Sequence, residues 1–383
     1  MLLYFGVSGF YSFGEEEQII DFRAKPRSRL SNTKYEDNFN LSSKYKPMKS
    51  AVFFGKNASG KTNLFMAIKT CISIIKKGFT ATQVENEYFQ NTLNQGCKSI
   101  SFKLGISNKD NFFEFFIKFN QKDILEETLK QNGNDIYVFK SKKMLFGKAI
   151  SSLFKDEELK ILNDFFSTKS TESNLLKLKD FAINQIEDFL KCIDNIVIYM
   201  SSSYSKDYSM DFTESKKQYF KKNKNIILGI LQIIDDSIID FDFKQNNKEQ
   251  KYDLLFLRAN ASFRFQIESE GIKKIIQLMS SLSDIIKQDK ILIIDELDSC
   301  ISTQALIRLF NEFINTEKNQ AGQLIVSTHN ILLFDITFLN SAQIFLITKD
   351  KFLCTQVRSY HEFDIRSEKK NAYLDYLKGS YDE

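Results

Sequence analysis

The chain has 383 residues, of which 43% are hydrophobic and 27% are charged, a balance typical of a folded globular protein rather than a disordered one. No apolar run approaches the ~20 residues that a membrane-spanning helix requires, and the net charge of +4 is too small to indicate a nucleic-acid partner. The five cysteines are scattered and form no CxxC pair, so we expect reduced thiols and a cytoplasmic location rather than a zinc site.

The N-terminal third is predicted to combine short strands with one long helix, because short apolar runs are bounded by glycines and polar turns. Both prolines fall in a single polar stretch, which indicates a surface loop. The predicted elements are strands at 2–7 and 16–22, a surface loop at 23–49, a strand at 50–54, a loop at 55–60, a helix at 61–77, and strands at 99–104 and 112–119.

The middle of the chain has a different character. Residues 121–247 are rich in lysine, and apolar residues recur near the helical period in Leu175–Phe189 and Ile226–Ile239, which favours helices. The polar segment Ser201–Asn225 between them carries a lysine cluster. The cluster indicates a solvated face or loop, with a phosphate-contacting patch as the alternative. Its members are Lys216, Lys217, Lys221, Lys222 and Lys224.

Strands alternate with helices again in the C-terminal third, which favours an α/β fold with parallel strands in its sheet. The predicted elements are strands at 252–257 and 263–267, a helix at 271–286, a strand at 291–294, a helix at 303–315, and strands at 324–327, 343–348 and 352–357.

A phosphate-binding pattern follows the strand at 50–54. Residues 55–62 match G-x-x-x-x-G-K-[ST], the Walker A pattern, between an apolar strand and a helix as that motif requires. Its glycines let backbone amides face the phosphates, and the helix start adds partial positive charge. Lys61 is expected to reach the β- and γ-phosphates, and Thr62 to ligate Mg²⁺. The predicted nucleotide-binding residues are Gly55, Lys56, Asn57, Ala58, Ser59, Gly60, Lys61, Thr62 and Asn63.

The apolar strand at 291–294 ends in two carboxylates, Asp295 and Glu296. Behind a Walker A pattern, this ending is typical of a Walker B motif. Asp295 is expected to hold Mg²⁺ through its water shell, and Glu296 to orient and polarise the attacking water, since phosphoryl transfer depends on positioning and charge neutralisation. The two motifs together predict that the chain binds ATP and hydrolyses it with Mg²⁺.

Two other places could contact phosphate. Ser269 and Gly271 stand at the start of a predicted helix, where they could bind a phosphate or where Ser269 could only cap the helix. His329 follows the strand at 324–327. Its position at a strand end favours a γ-phosphate sensor over a structural histidine.

The order of these motifs resembles the ABC-type ATPases of the SMC-like and OLD-like branch. Within that branch it is most similar to the bacterial abortive-infection and PARIS-type antiphage ATPases. The resemblance implies an α/β, ABC-type P-loop ATPase head, with a mixed sheet flanked by helices, built from residues 1–120 and 250–383. Residues 121–249 would form an inserted helix-rich lobe.

The resemblance also implies an ATP-linked head-to-head dimer or higher oligomer. ATP would lie between the Walker A loop of one subunit and Ser269 and Gly271 of its partner, with Leu297–Ser299 as the D-loop at that interface. A glutamine after the first helix senses Mg²⁺ in such proteins, and Gln90 is favoured over Gln95. The implied catalytic residues are Glu296, His329 and Lys61.

The chain departs from these relatives at two places. Tyr11 stands where they often carry an arginine, which puts a contact with nucleotide or partner in doubt, and Cys300–Ser302 replaces a common Leu-His-Pro. OLD-type nucleases carry a C-terminal Toprim domain, and the residues after His329 are too few for one. The effector is therefore expected to be a separate protein, such as a nuclease.

Three functions compete. The first is an ATP-driven sensor or scaffold of an antiphage system, which is the one we expect, with no membrane partner. The second is an SMC-like ATPase of DNA maintenance or repair whose lobe binds duplex DNA, although an insert of ~130 residues without sustained heptads is too short for a long coiled coil. The third is a nucleotide-binding structural protein, against which Glu296 argues.

Overall fold

A computed structural model of the chain describes residues 1–26, 29–85, 96–108, 111–167, 171–201, 210–246, 251–299, 301–363 and 376. Its strands are β1 (Leu2–Ser8), β2 (Gln18–Asp21), β3 (Ser50–Phe54), β4 (Ile100–Ser107), β5 (Phe112–Phe119), β6 (Ile124–Gln131), β7 (Asn134–Lys140), β8 (Lys143–Phe146), β9 (Ile196–Tyr199), β10 (Asp240–Asn246), β11 (Lys251–Arg258), β12 (Ala261–Arg264), β13 (Ile291–Ile294), β14 (Gln323–Ser327), β15 (Ile344–Lys349) and β16 (Thr355–Ser359). Its helices are α1 (Lys61–Lys77), α2 (Phe79–Glu85), α3 (Lys148–Ser151), α4 (Asp156–Ser167), α5 (Asn174–Leu178), α6 (Asn184–Asp194), α7 (Glu214–Lys222), α8 (Lys224–Ile234), α9 (Glu270–Gln288) and α10 (Thr303–Arg308).

The central sheet has the strand order β16-β15-β3-β14-β13-β9. All neighbours in it are parallel except β15 and β16. β3, β13 and β14 are buried along their whole length, which explains why their sequences are continuous apolar runs instead of alternating ones. Because these strands are parallel, their carboxyl ends lie at one edge of the sheet, where the loops that follow them meet.

Both faces of the central sheet are covered. Along β3, Ala51 and Phe53 belong to a core shared with α1 and a second sheet, while Val52 and Phe54 belong to a core shared with α8, α9 and α10. The second sheet is antiparallel, in the order β2-β1-β4-β5-β6-β7-β8, and β10-β11-β12 form a third. The result is a mixed α/β fold with sheets flanked by helices, as predicted.

Several predicted elements agree closely with the structure, and β3, α1 and β13 have the predicted bounds. The helix predicted at 303–315 is instead α10 followed by a π-helical turn, Leu309–Ile314. The strand predicted at 352–357 begins only at Thr355, because Asp350 accepts backbone hydrogen bonds from Phe352 and Cys354 and holds a turn there.

The prediction that residues 121–247 are mostly helical is only partly met. β6, β7 and β8 extend the antiparallel sheet, and β9 pairs with β13 in the central sheet. These strands form because neighbouring strands satisfy their backbone groups, a tertiary effect that overrides local helical pattern. The division into 1–120 with 250–383 and 121–249 remains a prediction. None of the helices in the described ranges combines the length and apolarity required to cross a membrane.

Gln323 joins the two large sheets. Its side chain is fully buried at the start of β14. Its Oε1 accepts a hydrogen bond from Leu2 N at 2.9 Å, and its Nε2 donates to Leu2 O at 3.2 Å and Met48 O at 2.9 Å. One amide therefore attaches β1 to the central sheet.

We expect Gln323→Leu to lower the free energy of unfolding by about 2–4 kcal/mol, because buried groups of Leu2 and Met48 lose partners at about 1–3 kcal/mol each. Urea unfolding followed by circular dichroism would measure the loss. Gln320→Leu, at an exposed position before β14, is the matched control and should stay near wild type. Equal stabilities of the two variants would contradict the role of Gln323.

Candidate nucleotide-binding site

Residues 55–60, between β3 and α1, form a loop packed tightly against its surroundings. Ala58 and Gly60 have left-handed φ angles of 62° and 115°. A Cβ on Gly60 would lie 2.2 Å from Thr355 Oγ1, and a Cβ on Gly55 would lie 2.6 Å from Ile347 O. Both glycines are therefore required by close approach, whereas Ala58 adopts a conformation that costs an L-residue about 1 kcal/mol.

Lys61 is buried at the first position of α1. Its Nζ donates to Gly55 O at 2.6 Å and to Lys56 O at 3.2 Å, so the ammonium group folds back over the loop. Burial lowers the pKa of Lys61, and the carboxylates of Asp295, Glu296 and Asp298 oppose this shift. An anionic ligand over the loop would favour the charged amine in the same way.

The loop also holds a buried hydroxyl whose hydrogen-bonding capacity is unused. Within the described part of the chain, Ser59 Oγ has no hydrogen-bond partner. Backbone amides in a left-handed turn, a lysine ammonium and a free hydroxyl together fit the oxygens of a triphosphate. The structure therefore supports residues 55–62 as a phosphate cradle.

Asp295 is fully buried at the end of β13. Its Oδ2 accepts hydrogen bonds from Thr62 Oγ1 at 3.1 Å and Ser201 Oγ at 3.2 Å, and its Oδ1 accepts from Ser327 Oγ at 2.5 Å. The Walker A hydroxyl and the Walker B carboxylate thus contact each other. These oxygens are the kind of ligand that Mg²⁺ prefers, so the pair fits the predicted metal site.

Glu296 and His329 meet beside this pair. Glu296 Oε1 lies 3.6 Å from His329 Nε2, and the two side chains are 38% and 40% exposed. Glu296 has a left-handed φ of 58°, and its N–H donates to Ser327 Oγ at 2.8 Å. Backbone strain at an accessible carboxylate is typical of functional sites. The structure therefore brings these two predicted residues together, and Ser327 links Glu296 to Asp295.

Three other predicted residues in the described ranges have a structural role or a contact elsewhere. Ser269 caps α9, with its Oγ accepting from Ile272 N at 3.4 Å, and Gly271 is buried in the first turn of that helix. Asn63 Nδ2 donates to Ser12 Oγ at 2.7 Å. Contacts of these three residues with nucleotide remain predictions. Gln90 and Gln95 lie outside the described residues.

Several residues of the site were missed by sequence reasoning. Ser327 connects Asp295 to Glu296, and Ser201 reaches Asp295 from the end of β9. Thr355 Oγ1 donates to Ser59 O at 3.0 Å and lies 2.7 Å from Ser12 Oγ. Ser327 is the last residue of the buried strand β14, and Ser201 follows β9 by two residues. Hydroxyl residues at the carboxyl ends of these strands were the available signal for both.

We expect Ala58→Gly to stabilise the protein by about 0.5–1 kcal/mol, because glycine adopts a left-handed φ without steric cost. Differential scanning calorimetry would record a higher Tm. Ala67→Gly, in the interior of α1, is the opposite control and should destabilise by a similar or larger amount. A lower Tm for Ala58→Gly would show that the loop is not strained at this position.

Comparison with solved structures finds matches at low sequence identity. The chain matches a SmcHead bound to the C-winged helix domain of ScpA with 13% identity and a TM-score of 0.48, covering 93% of this chain and 96% of the other. It matches the SMC head domain from Thermotoga maritima with 13% identity and a TM-score of 0.44, covering 94% and 98%.

A third match is the Smc head domain with an extended coiled coil bound to the C-terminal domain of ScpA derived from Pyrococcus furiosus. Its identity is 13% and its TM-score is 0.45, with 99% of both chains covered. None of the curated proteins compared with the chain is significantly similar to it in sequence.

A protein-family model gives the assignment. The model is described as AAA domain, putative AbiEii toxin, Type IV TA system, and it matches residues 50–335. The matched range contains residues 55–62, the Asp295–Glu296 pair and His329. The chain therefore belongs to this family of P-loop AAA domains related to AbiEii.

Proposed function

We propose that this protein hydrolyses ATP and acts as the sensor or scaffold of an abortive-infection antiphage system, in which it controls a separate effector. The observation that carries the ATPase part is the 3.1 Å contact between Thr62 Oγ1 and Asp295 Oδ2. It brings the Walker A and Walker B motifs within reach of one cation.

Each residue of the site has its own role in binding or hydrolysing ATP. The amides of residues 55–60 and the ammonium group of Lys61 would bind the phosphates, and Thr62 and Asp295 would hold Mg²⁺. The cation supplies neutralisation of phosphate charge. Glu296 is accessible enough to orient a water and accept its proton, and His329, 3.6 Å away, would contact the terminal phosphate.

A nucleotide-linked dimer or higher oligomer is part of the proposal. The tip of α9 supports it. Ser269 is exposed at the start of this helix, and the N–H groups of a helix start can bind an anion brought by a second subunit. Ile267, two residues earlier, is 70% exposed, and a second copy seated on the tip would remove it from water. Leu297–Ser299 would lie at the same interface.

The family description supports a defence role more than DNA maintenance, since it names a putative toxin of a Type IV TA system. The lysine cluster gives the DNA alternative little support. Lys217 pairs with Glu214 at 3.1 Å, and Lys224 pairs with Asp240 at 2.8 Å. These two lysines are engaged within the chain, so fewer charges of the cluster remain for phosphates.

We expect Glu296→Gln to keep ATP affinity but to lower kcat by about 100-fold or more, because the amide cannot accept the proton of the attacking water. The trapped nucleotide should shift the protein to a dimer in analytical ultracentrifugation. Glu317→Gln, an exposed carboxylate elsewhere on the surface, is the matched control, and Lys61→Ala is the variant that should no longer bind ATP. Normal turnover by Glu296→Gln would remove this residue from the mechanism.

We expect cells that carry this gene with its neighbouring genes to resist phage, and to lose resistance when the chain carries Glu296→Gln. Plating efficiency against a panel of phages measures the effect. If no phage is restricted, and the purified protein binds duplex DNA with a steep salt dependence, DNA maintenance would replace the defence role.

A further inference from the structure

Lys274 is a buried lysine one turn into α9. It is 1% exposed, and its Nζ donates to the carbonyl oxygens of Glu296 at 2.8 Å, Ser299 at 3.1 Å and Leu297 at 3.4 Å. It also donates to the Ser299 hydroxyl. All of these acceptors belong to Glu296 and the three residues after it, so a single ammonium group organises that segment.

The segment needs such a partner because of its backbone. Glu296 is left-handed, with φ of 58°, and this conformation persists in a non-glycine residue only where its surroundings fix it. On one side, Ser327 Oγ accepts from Glu296 N and links it to Asp295. On the other side, Lys274 holds the carbonyl oxygen of the same residue. The position of Glu296 therefore depends on both contacts.

Lys274 also links the tip of α9 to Glu296. In the proposed function the tip binds the partner's nucleotide, and Glu296 acts in hydrolysis. Ser269 and Gly271 form the tip of α9, and Lys274 follows Gly271 within about one helical turn, or ~5 Å along the axis. A helix moves as a rigid element at this length. A displacement of the tip would therefore be transmitted by the Lys274 side chain to the carbonyl of Glu296.

We propose that Lys274 is a positioning residue that couples the tip of α9 to Glu296. Nucleotide bound by the partner subunit at the tip would then set the position of the hydrolytic carboxylate in the same chain as the tip. This inference rests on the proposed ATPase dimer and adds to it a route by which one nucleotide site affects the other.

A purely structural role for Lys274 is the competing explanation. Buried charge is tolerated only when it is hydrogen-bonded, and four acceptors would satisfy that need even if α9 never moved. The two explanations differ in the response to nucleotide. If Lys274 is only a static brace, it stabilises residues 296–299 equally with and without ligand. If it couples the two sites, nucleotide binding changes the stability of residues 296–299 and this change depends on Lys274.

The test compares Lys274→Met with Lys287→Met in the full chain. Lys287 lies at the other end of α9, about 20 Å away along the axis, and its Nζ also donates to a side-chain oxygen, Asn223 Oδ1. Amide hydrogen exchange of residues 296–299 is measured without ligand and with the β,γ-imido analogue of ATP and Mg²⁺. Steady-state kinetics give kcat and KM separately.

For Lys274→Met, we expect about tenfold faster exchange at 296–299 without ligand and no protection by the analogue, although the analogue still binds. We expect kcat to fall about tenfold with little change in KM. Lys287→Met should resemble wild type in all three readouts. Ser299→Ala, which removes one acceptor, should show a smaller change in the same direction.

Wild-type protection by the analogue in Lys274→Met, together with normal kcat, would overturn the coupling. A loss of stability in Lys274→Met without loss of analogue-induced protection would also overturn it and leave a static brace. Failure of the proposed function has a different signature, because wild type itself would then neither bind the analogue nor hydrolyse ATP.

Discussion

The hydrogen bond between Thr62 and Asp295 joins two residues that are 233 positions apart in the chain. It exists because β3 and β13 run parallel, with β14 between them, so that their carboxyl ends share one edge of the sheet. The same edge delivers Ser201 and Ser327 to Asp295. Hydroxyl groups that follow or end β3, β9 and β14 therefore meet the carboxylate after β13, and a change in strand order would separate them from it.

Hydrogen bonds to the backbone of Glu296 stabilise its strained, left-handed conformation. The chain accepts left-handed backbone at this residue, and it fixes that conformation with a hydroxyl on one side and an ammonium group on the other. An arrangement that is fixed in this way costs conformational free energy in the folded protein before any ligand binds. In the proposed ATPase, residues that do not contact the phosphates would then control the position of this carboxylate.

The sequence was most informative where local pattern and tertiary structure agree. β3 and β13 were predicted with their observed bounds because a continuous apolar run bounded by glycine or carboxylates favours a buried parallel strand. α1 was predicted because a helix follows the Walker A pattern. The sequence was least informative at 124–146, where strands carry charged residues on their open face, and at Lys274. The role of Lys274 depends on which elements pack against α9, and no pattern in the sequence encodes that packing.

The pairing of β9 with β13 restricts where the chain can be shortened without opening the central sheet. Although β9 lies within residues 121–249, it is hydrogen-bonded to β13 along the edge of the central sheet. A shortened protein lacking residues 121–249 would leave the backbone of β13 open at that edge, and such open strands recruit other chains into aggregates. Experiments that shorten the chain or exchange parts of it should therefore keep residues 195–201 together with the central sheet.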